Sequence, residues 1–295
     1  MIRSFDGILP AVVTPRDANG DFCATTFGSL VDRLYGAGVH GLYVCGNTGE
    51  GYVMSDDQRK RVTEAAVSAS SGKGRVIVHV GAAREAEAVA LARHAFDAGA
   101  DAVSSMPPYV QGYGFPDVFG YYSRLAGATA LPLFIYYIPV VTGRAFTLEE
   151  MGRLLGIDSV AGLKFTDYNF YMMEGLLAHA SQPHVFNGHD EVMVAGMAMG
   201  AQAGIGSYYN ILPGRMLEIY RAMREDDLAE ARRIQAEVNQ VIRAVGQFGH
   251  AVGMRTVLKH QGIDCGPPAR PATGLSREAE EDLKRAVEET GVEIR

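Results

Sequence analysis

The chain holds five lysines, and only Lys164 falls inside a β-type run, Ala161-Gly162-Leu163-Lys164-Phe165-Thr166. Lys60, Lys73, Lys259 and Lys284 fall in helical or loop contexts. Side chains alternate across a strand, so Gly162, Lys164 and Thr166 share one face and Leu163 and Phe165 the other. The apolar pair suits a helix layer, which turns Lys164 inward. Burying an ammonium is costly unless it is paired or neutral. A lysine so placed tends to a lowered pKa, and its free amine can attack a ketone. The alternative is a structural lysine paired with a carboxylate.

Other groups fall near strand ends. Gly46-Asn47-Thr48-Gly49-Glu50-Gly51 can converge backbone N–H groups on an anion, with Asn47 and Thr48 adding side-chain hydrogen bonds. It lacks the Gly-Lys-Ser/Thr of a nucleotide loop, so a carboxylate is the modest reading and a phosphate the rival. In Tyr136-Tyr137-Ile138-Pro139 a phenol beside a Schiff-base lysine could relay protons, its pKa lowered by a nearby cation or by the anion loop; otherwise both are ordinary strand tyrosines. Pro107-Pro108-Tyr109 offers another phenol. Asp190 and Glu191, in Gly188-His189-Asp190-Glu191, either bind hydroxyls of a polyol or are first-turn charges of a helix. Gly204-Ile205-Gly206-Ser207 would let bare backbone approach a ligand. His179, His184 and His189 span a helix end, a turn and a loop, which does not gather three imidazoles around one metal ion.

The elements that must position these groups alternate. Strand patterns cover 7–14, 41–45, 75–80, 102–106, 131–138, 160–166, 184–187 and 203–207. Between them run amphipathic stripes such as Phe27, Leu30, Val31, Leu34 and Tyr35, or Ala88, Leu91, Ala92, Ala95 and Phe96. Ser55 with Gln58, and Thr147 with Glu150, read as capping boxes. Gly38, Gly99 and Gly200 each close a helix before a strand, a place for left-handed backbone. Eight βα units in about 210 residues make an α/β (β/α)₈ TIM barrel, whose active site lies at the C-terminal ends of its strands. An open doubly wound sheet is the competitor, but no GxGxxG turn follows the first strand. Beyond residue 212 only helical patterns remain, over 213–248, 251–261 and 276–290. We expect a barrel over 1–225 carrying the active site and a C-terminal helical extension, 226–295, packed on it.

Composition narrows the class. With 47% apolar and 21% charged residues the chain is of ordinary globular make-up. Its 27 basic and 34 acidic residues give net charge −7, which argues against nucleic acid or an anionic membrane as partner. Cys23, Cys45 and Cys265 are odd in number and far apart, so a reduced, cytoplasmic protein is expected. No cleavable apolar leader is evident, and the most apolar run, 131–138, is far short of the roughly 20 residues that span a bilayer.

Taken in order, Gly46-Asn47-Thr48-Gly49-Glu50, Pro108-Tyr109, Tyr136-x-Ile138-Pro139, Gly162-Leu163-Lys164 and Gly206-Ser207 resemble the class I pyruvate-dependent lyases that include dihydrodipicolinate synthase and N-acetylneuraminate lyase. The resemblance spans essentially the whole chain. It implies Lys164 as Schiff-base lysine, Tyr136 as proton relay, Asn47, Thr48 and Gly49 as carboxylate cradle, and Tyr109 as a phenol reaching a neighbouring subunit's site. It further implies a homotetramer built as a dimer of dimers, a small 2-keto acid as substrate, and no cofactor beyond the covalent imine. Thr166, Gly188, Asp190, Glu191, Ile205, Gly206 and Ser207 resemble the sugar-contacting positions of the N-acetylneuraminate lyase branch. Val140-Val141-Thr142-Gly143 stands where the synthase carries an arginine for its second substrate. The favoured reading is therefore cleavage of a 2-keto-3-deoxy sugar acid, N-acetylneuraminate above others, to pyruvate and an aldehyde. A dehydratase, deaminase or aldolase acting on another 2-keto acid is the alternative. Asn47 departs from the hydroxyl residue usual at its position, and an amide cannot relay a proton as a hydroxyl does. His189 also sits among the sugar-side positions.

Overall fold

Eight short parallel strands form one sheet: β1 (Gly7–Pro10), β2 (Gly41–Val44), β3 (Arg75–His79), β4 (Ala102–Ser105), β5 (Leu133–Tyr137), β6 (Val160–Phe165), β7 (His184–Asn187) and β8 (Ala203–Gly206). They come from a computed structural model that describes residues 5–108, 112–269 and 271–294. From β2 to β8 each strand pairs with the next in sequence, and β1 pairs with β8. The remaining seam is drawn shut where Ala11 bridges Tyr43 and the Val12 N–H donates to the Tyr43 carbonyl at 2.9 Å. The architecture is the expected (β/α)₈ barrel.

The strands are mostly shorter than the sequence pattern suggests, for local reasons. Pro132 has no N–H to give a ladder, so β5 begins at Leu133 rather than 131. After Pro10 the chain leaves β1 to cross the seam, and the Val13 N–H goes to the Asn210 side chain at 3.1 Å instead of a strand.

Alternation along the strands sorts side chains into two layers. Leu9, Tyr43, Ile77, Phe134, Tyr136, Phe186 and Ile205 fill the barrel interior. Leu163 and Phe165 face the helices with Met151, Leu154 and Met173, as the period-two reading requires. Gly38, Gly99 and Gly200 all adopt left-handed backbone, with φ of 99°, 88° and 111°. Thr147 and Glu150 form a complete capping box. Ser55 caps its helix, but the Gln58 amide turns away to Asp21.

The long helix expected over 213–248 is two helices, Pro213–Arg224 and Leu228–Gly246. Asp226 is left-handed at φ 59°, and the Asp227 carboxylate accepts from the Glu230 N–H at 3.0 Å, which starts the second helix. Helices His250–His260 and Arg277–Glu288 complete the C-terminal part. Among the described residues no helix is long and apolar enough to cross a membrane.

Candidate active site

Lys164 stands near the C-terminal end of β6, in register with Tyr136 of β5 and Phe186 of β7. It is 5% exposed. Its Nζ lies 4.2 Å from the centre of the Tyr136 ring and 5.0 Å from that of Tyr43. Among the described residues it forms no ion pair; burial draws its pKa down to about 8, with Asp190 acting from a distance to hold part of it up. A buried amine that is part neutral at physiological pH has the state a carbonyl nucleophile needs.

A cavity of about 630 Å³ opens over Lys164 at the C-terminal ends of the strands. Of the residues expected there, Asn47, Thr48, Tyr136, Thr166, Gly188, Asp190, Glu191 and Ser207 line it with Lys164. Gly49, Ile205 and Gly206 are not among the lining residues. Gly49 packs behind the loop against the Val12 carbonyl, Ile205 fills the barrel core, and Gly206 abuts the Asp190 carboxylate. Tyr109 lies outside the described residues.

The loop after β2 is shaped by two left-handed residues, Cys45 and Glu50, at φ 60° and 55°. At Gly51 a Cβ would sit 1.9 Å from the Cys45 carbonyl oxygen, so the turn closes only around glycine. Thr48 Oγ1 and Ser207 Oγ share a 2.6 Å hydrogen bond, which joins the cradle to the end of β8. The buried Glu50 carboxylate accepts from Arg16, from Arg255 at 2.6 Å and from the Ala269 N–H at 2.9 Å. Burial alone would raise its pKa; Arg255, the Ala269 amide and Arg16 together hold it below the ordinary carboxylate value.

Tyr136 corrects one expectation. A lowered phenol pKa was the sequence reading, but burial pushes it well above its ordinary value, Thr166 offsets only part of that, and Asp190 adds to it. Proximity to a cation is not enough when the phenolate would lose all its water. The hydroxyl is thus a neutral group at physiological pH, able to donate and accept. Tyr137, its neighbour on the other face, packs on Phe146 and Phe165 as an ordinary core residue.

The two carboxylates after β7 part company. Asp190 is 5% exposed, and its Oδ2 accepts the Tyr208 N–H at 2.8 Å. Burial raises its pKa to about 7, against the pull of the Tyr208 amide and Lys164. Glu191 is also pushed up by burial, but hydrogen bonds from His189 and Tyr168 win and bring it to about 2. His179, His184 and His189 go to three separate places, beside Ser181, Asp6 and Glu191. Among the described residues no group of three His, Cys, Asp or Glu side chains could hold a metal ion.

Sequence reasoning passed over several contributors. Tyr43, inward by the alternation of β2, forms a wall beside Lys164 and donates to Ser104 at 3.1 Å. Buried His79 accepts the Met106 N–H on Nε2 at 3.2 Å and meets Tyr136 edge to face. Ile242, His250 and Ala251 reach the cavity from the C-terminal helices. Alternation could have shown Tyr43 and His79; no local signal marks the C-terminal residues. Arg144, the nearest arginine after the Tyr136 turn, gives its guanidinium to the Tyr113 carbonyl instead of the cavity.

Residues 4–290 match the model of the dihydrodipicolinate synthetase family. An N-acetylneuraminate lyase of Rhizobium meliloti is 34% identical over 266 residues, covering 90% of this chain and 89% of that protein. The solved structure of CdNal from Clostridium difficile, in complex with mannosamine, superposes with a TM-score of 0.94 at 27% identity, covering 98% of this chain and all (100%) of that one. A Ruminococcus gnavus sialic acid aldolase, solved as a catalytic lysine mutant, gives a TM-score of 0.93 at 26% identity over 97% of this chain and 96% of its own.

Proposed function

The chain belongs to the dihydrodipicolinate synthetase family and is an aldolase of that family; from this premise we propose that it cleaves a 2-keto-3-deoxy sugar acid, N-acetylneuraminate foremost, to pyruvate and an aldehyde. The observation that carries the chemistry is Lys164, buried and, among the described residues, without an ion pair, at the floor of the cavity.

In this reading the neutral Lys164 amine adds to C2 of the substrate, and loss of water leaves a protonated imine. A base takes the C4 hydroxyl proton, by way of the Tyr136 hydroxyl and the substrate's own carboxylate. The C3–C4 bond then breaks, its electrons pass to the imine, and the aldehyde departs. The pyruvate enamine left on Lys164 takes a proton at C3 and is hydrolysed. Covalent catalysis divides one difficult carbanion-forming step into easier ones, and the imine is the electron sink, so the reaction calls for no cofactor. Asn47 and Thr48 hold the substrate carboxylate, Thr48 being set by Ser207. Thr166, Gly188 and Asp190 border the sugar half.

Asn47 favours a second reading, in which another 2-keto acid is processed through the same imine, by dehydration, deamination or aldol cleavage. Dihydrodipicolinate synthesis is less well supported, because Val141 borders the cavity where a second-substrate arginine would be needed.

We place the protein in the cytoplasm, consistent with its three unpaired cysteines, and as a homotetramer in which Tyr109 reaches a partner's site. Borohydride reduction in the presence of pyruvate, followed by mass spectrometry, tests the core of the proposal. A stable adduct on Lys164 is expected; labelling elsewhere, or none, removes it. Release of pyruvate from N-acetylneuraminate, against a panel of other keto acids, separates the two readings.

A further inference from the structure

The roles above use neither of the two histidines that line the cavity, His189 and His250, and the first is held on several sides by its neighbours. His189 lines the cavity, and its side chain is 18% exposed. Tyr168 lies flat against it, with ring centroids 4.3 Å apart and planes 8° from parallel. Glu191 Oε1 sits 3.3 Å from His189 Nδ1 and accepts the Tyr168 hydroxyl at 2.5 Å. The backbone is pinned as well: Asn187 donates to the His189 carbonyl at 2.6 Å, and Asn239 to that of Glu191 at 3.0 Å. The stack fixes the plane of the imidazole, and the carboxylate fixes its rotation within that plane.

A neutral imidazole carries one N–H, and a carboxylate at Nδ1 keeps the proton there. Nε2 then presents a lone pair. A lone pair recognises a donor such as a hydroxyl, and repels a carbonyl or ether oxygen.

We propose that His189 is a specificity-determining residue whose Nε2 accepts a hydrogen bond from a hydroxyl on the part of the substrate that departs as the aldehyde, with Glu191 and Tyr168 as its positioning residues. Glu191 then acts through His189, its Oε1 serving two donors of its own chain. The substrate class that follows is a keto acid with a hydroxylated aldehyde half, in preference to an apolar one. This inference rests on the Schiff-base reading above.

The test runs the reaction in the aldol direction, with pyruvate and two aldehydes of equal length, erythrose and butanal. The readout is the ratio of their kcat/KM values. One neutral hydrogen bond corresponds to about tenfold, so His189→Phe, which keeps the stack on Tyr168, should lower the ratio by about that factor. His189→Gln, which restores a polar atom near Nε2, should recover most of it. Glu191→Gln should lose part of the ratio, and adding it to His189→Phe should cost nothing further. The pyruvate adduct on Lys164 should form at the wild-type rate in every variant, which excludes misfolding. An unchanged ratio in His189→Phe, or losses that simply add in the double variant, would overturn the proposal while leaving the imine chemistry intact. Failure of the wild-type protein to form the adduct would instead remove the Schiff-base reading and this inference with it.

Discussion

Lys164 Nζ sits over the face of the Tyr136 ring, 4.2 Å from its centre, so the amine meets the π cloud. Such a contact favours the charged amine when water is excluded, yet it claims no lone pair once the proton has gone. Tyr136 therefore shelters both protonation states of the amine.

A pH dependence follows. With its pKa at about 8 the amine is largely protonated at pH 7 and gains its free form as pH rises through that value. The single-turnover rate of pyruvate trapping should climb between pH 7 and 9 and then level off. Rapid mixing followed by borohydride quenching would show it; a rate flat across that window would contradict the assignment.

Lys164→Met should abolish turnover and stabilise the fold. Burial places the folded pKa at about 8, below the ordinary 10.5, so the folded state disfavours the ammonium. That penalty is fully present below pH 8 and fades as pH rises towards 10.5. An apolar side chain removes it, with a gain of up to about 3 kcal/mol at pH 7. Urea unfolding at pH 7 and pH 10 should show the gain shrinking at the higher pH.

Tyr136→Phe keeps the ring under Lys164 and removes only the hydroxyl. The melting temperature should stay near the wild-type value, and pyruvate should still be trapped on Lys164. Steady-state cleavage should fall by about 10²–10⁴, the range for loss of a proton-transfer group. Full retention of activity would take Tyr136 out of the relay.

Glu50→Gln should be the most damaging change outside the cavity's reacting centre. It leaves Arg16 and Arg255 buried without their common carboxylate, a loss of about 3–5 kcal/mol when one partner of such a pair is removed. The surviving protein should bind pyruvate more weakly, with KM rising more than kcat falls, because the loop that carries Asn47 and Thr48 is no longer held. Denaturant titration and steady-state kinetics read the two effects separately.

What the sequence made legible was the local part. Lys164 could be placed inward because strand alternation depends only on its immediate neighbours, and Gly38, Gly99 and Gly200 announced their turns in the same way. Properties set by distant chain were not readable. Arg255 is one arginine among the buried residues Met254, Thr256, Val257 and Leu258 of its helix, and nothing near it in sequence shows that Glu50 is its partner. The phenol of Tyr136 was assigned the wrong direction because its neighbours were visible but the depth of its burial was not. The break at Asp226 hides within a continuous helical pattern, since one left-handed residue followed by a capping Asp leaves the periodicity on either side almost unchanged.

The clasp on Glu50 has a temporal meaning as well as a spatial one. Two of its three donors, Arg255 and Ala269, follow all eight strands in the chain and so leave the ribosome after them. All eight strands can emerge while the loop beside β2 still waits for its fastening. A nascent barrel would thus carry its amine well before the loop beside it is fastened, so chains cut before Arg255 should trap pyruvate poorly even where the strands have assembled.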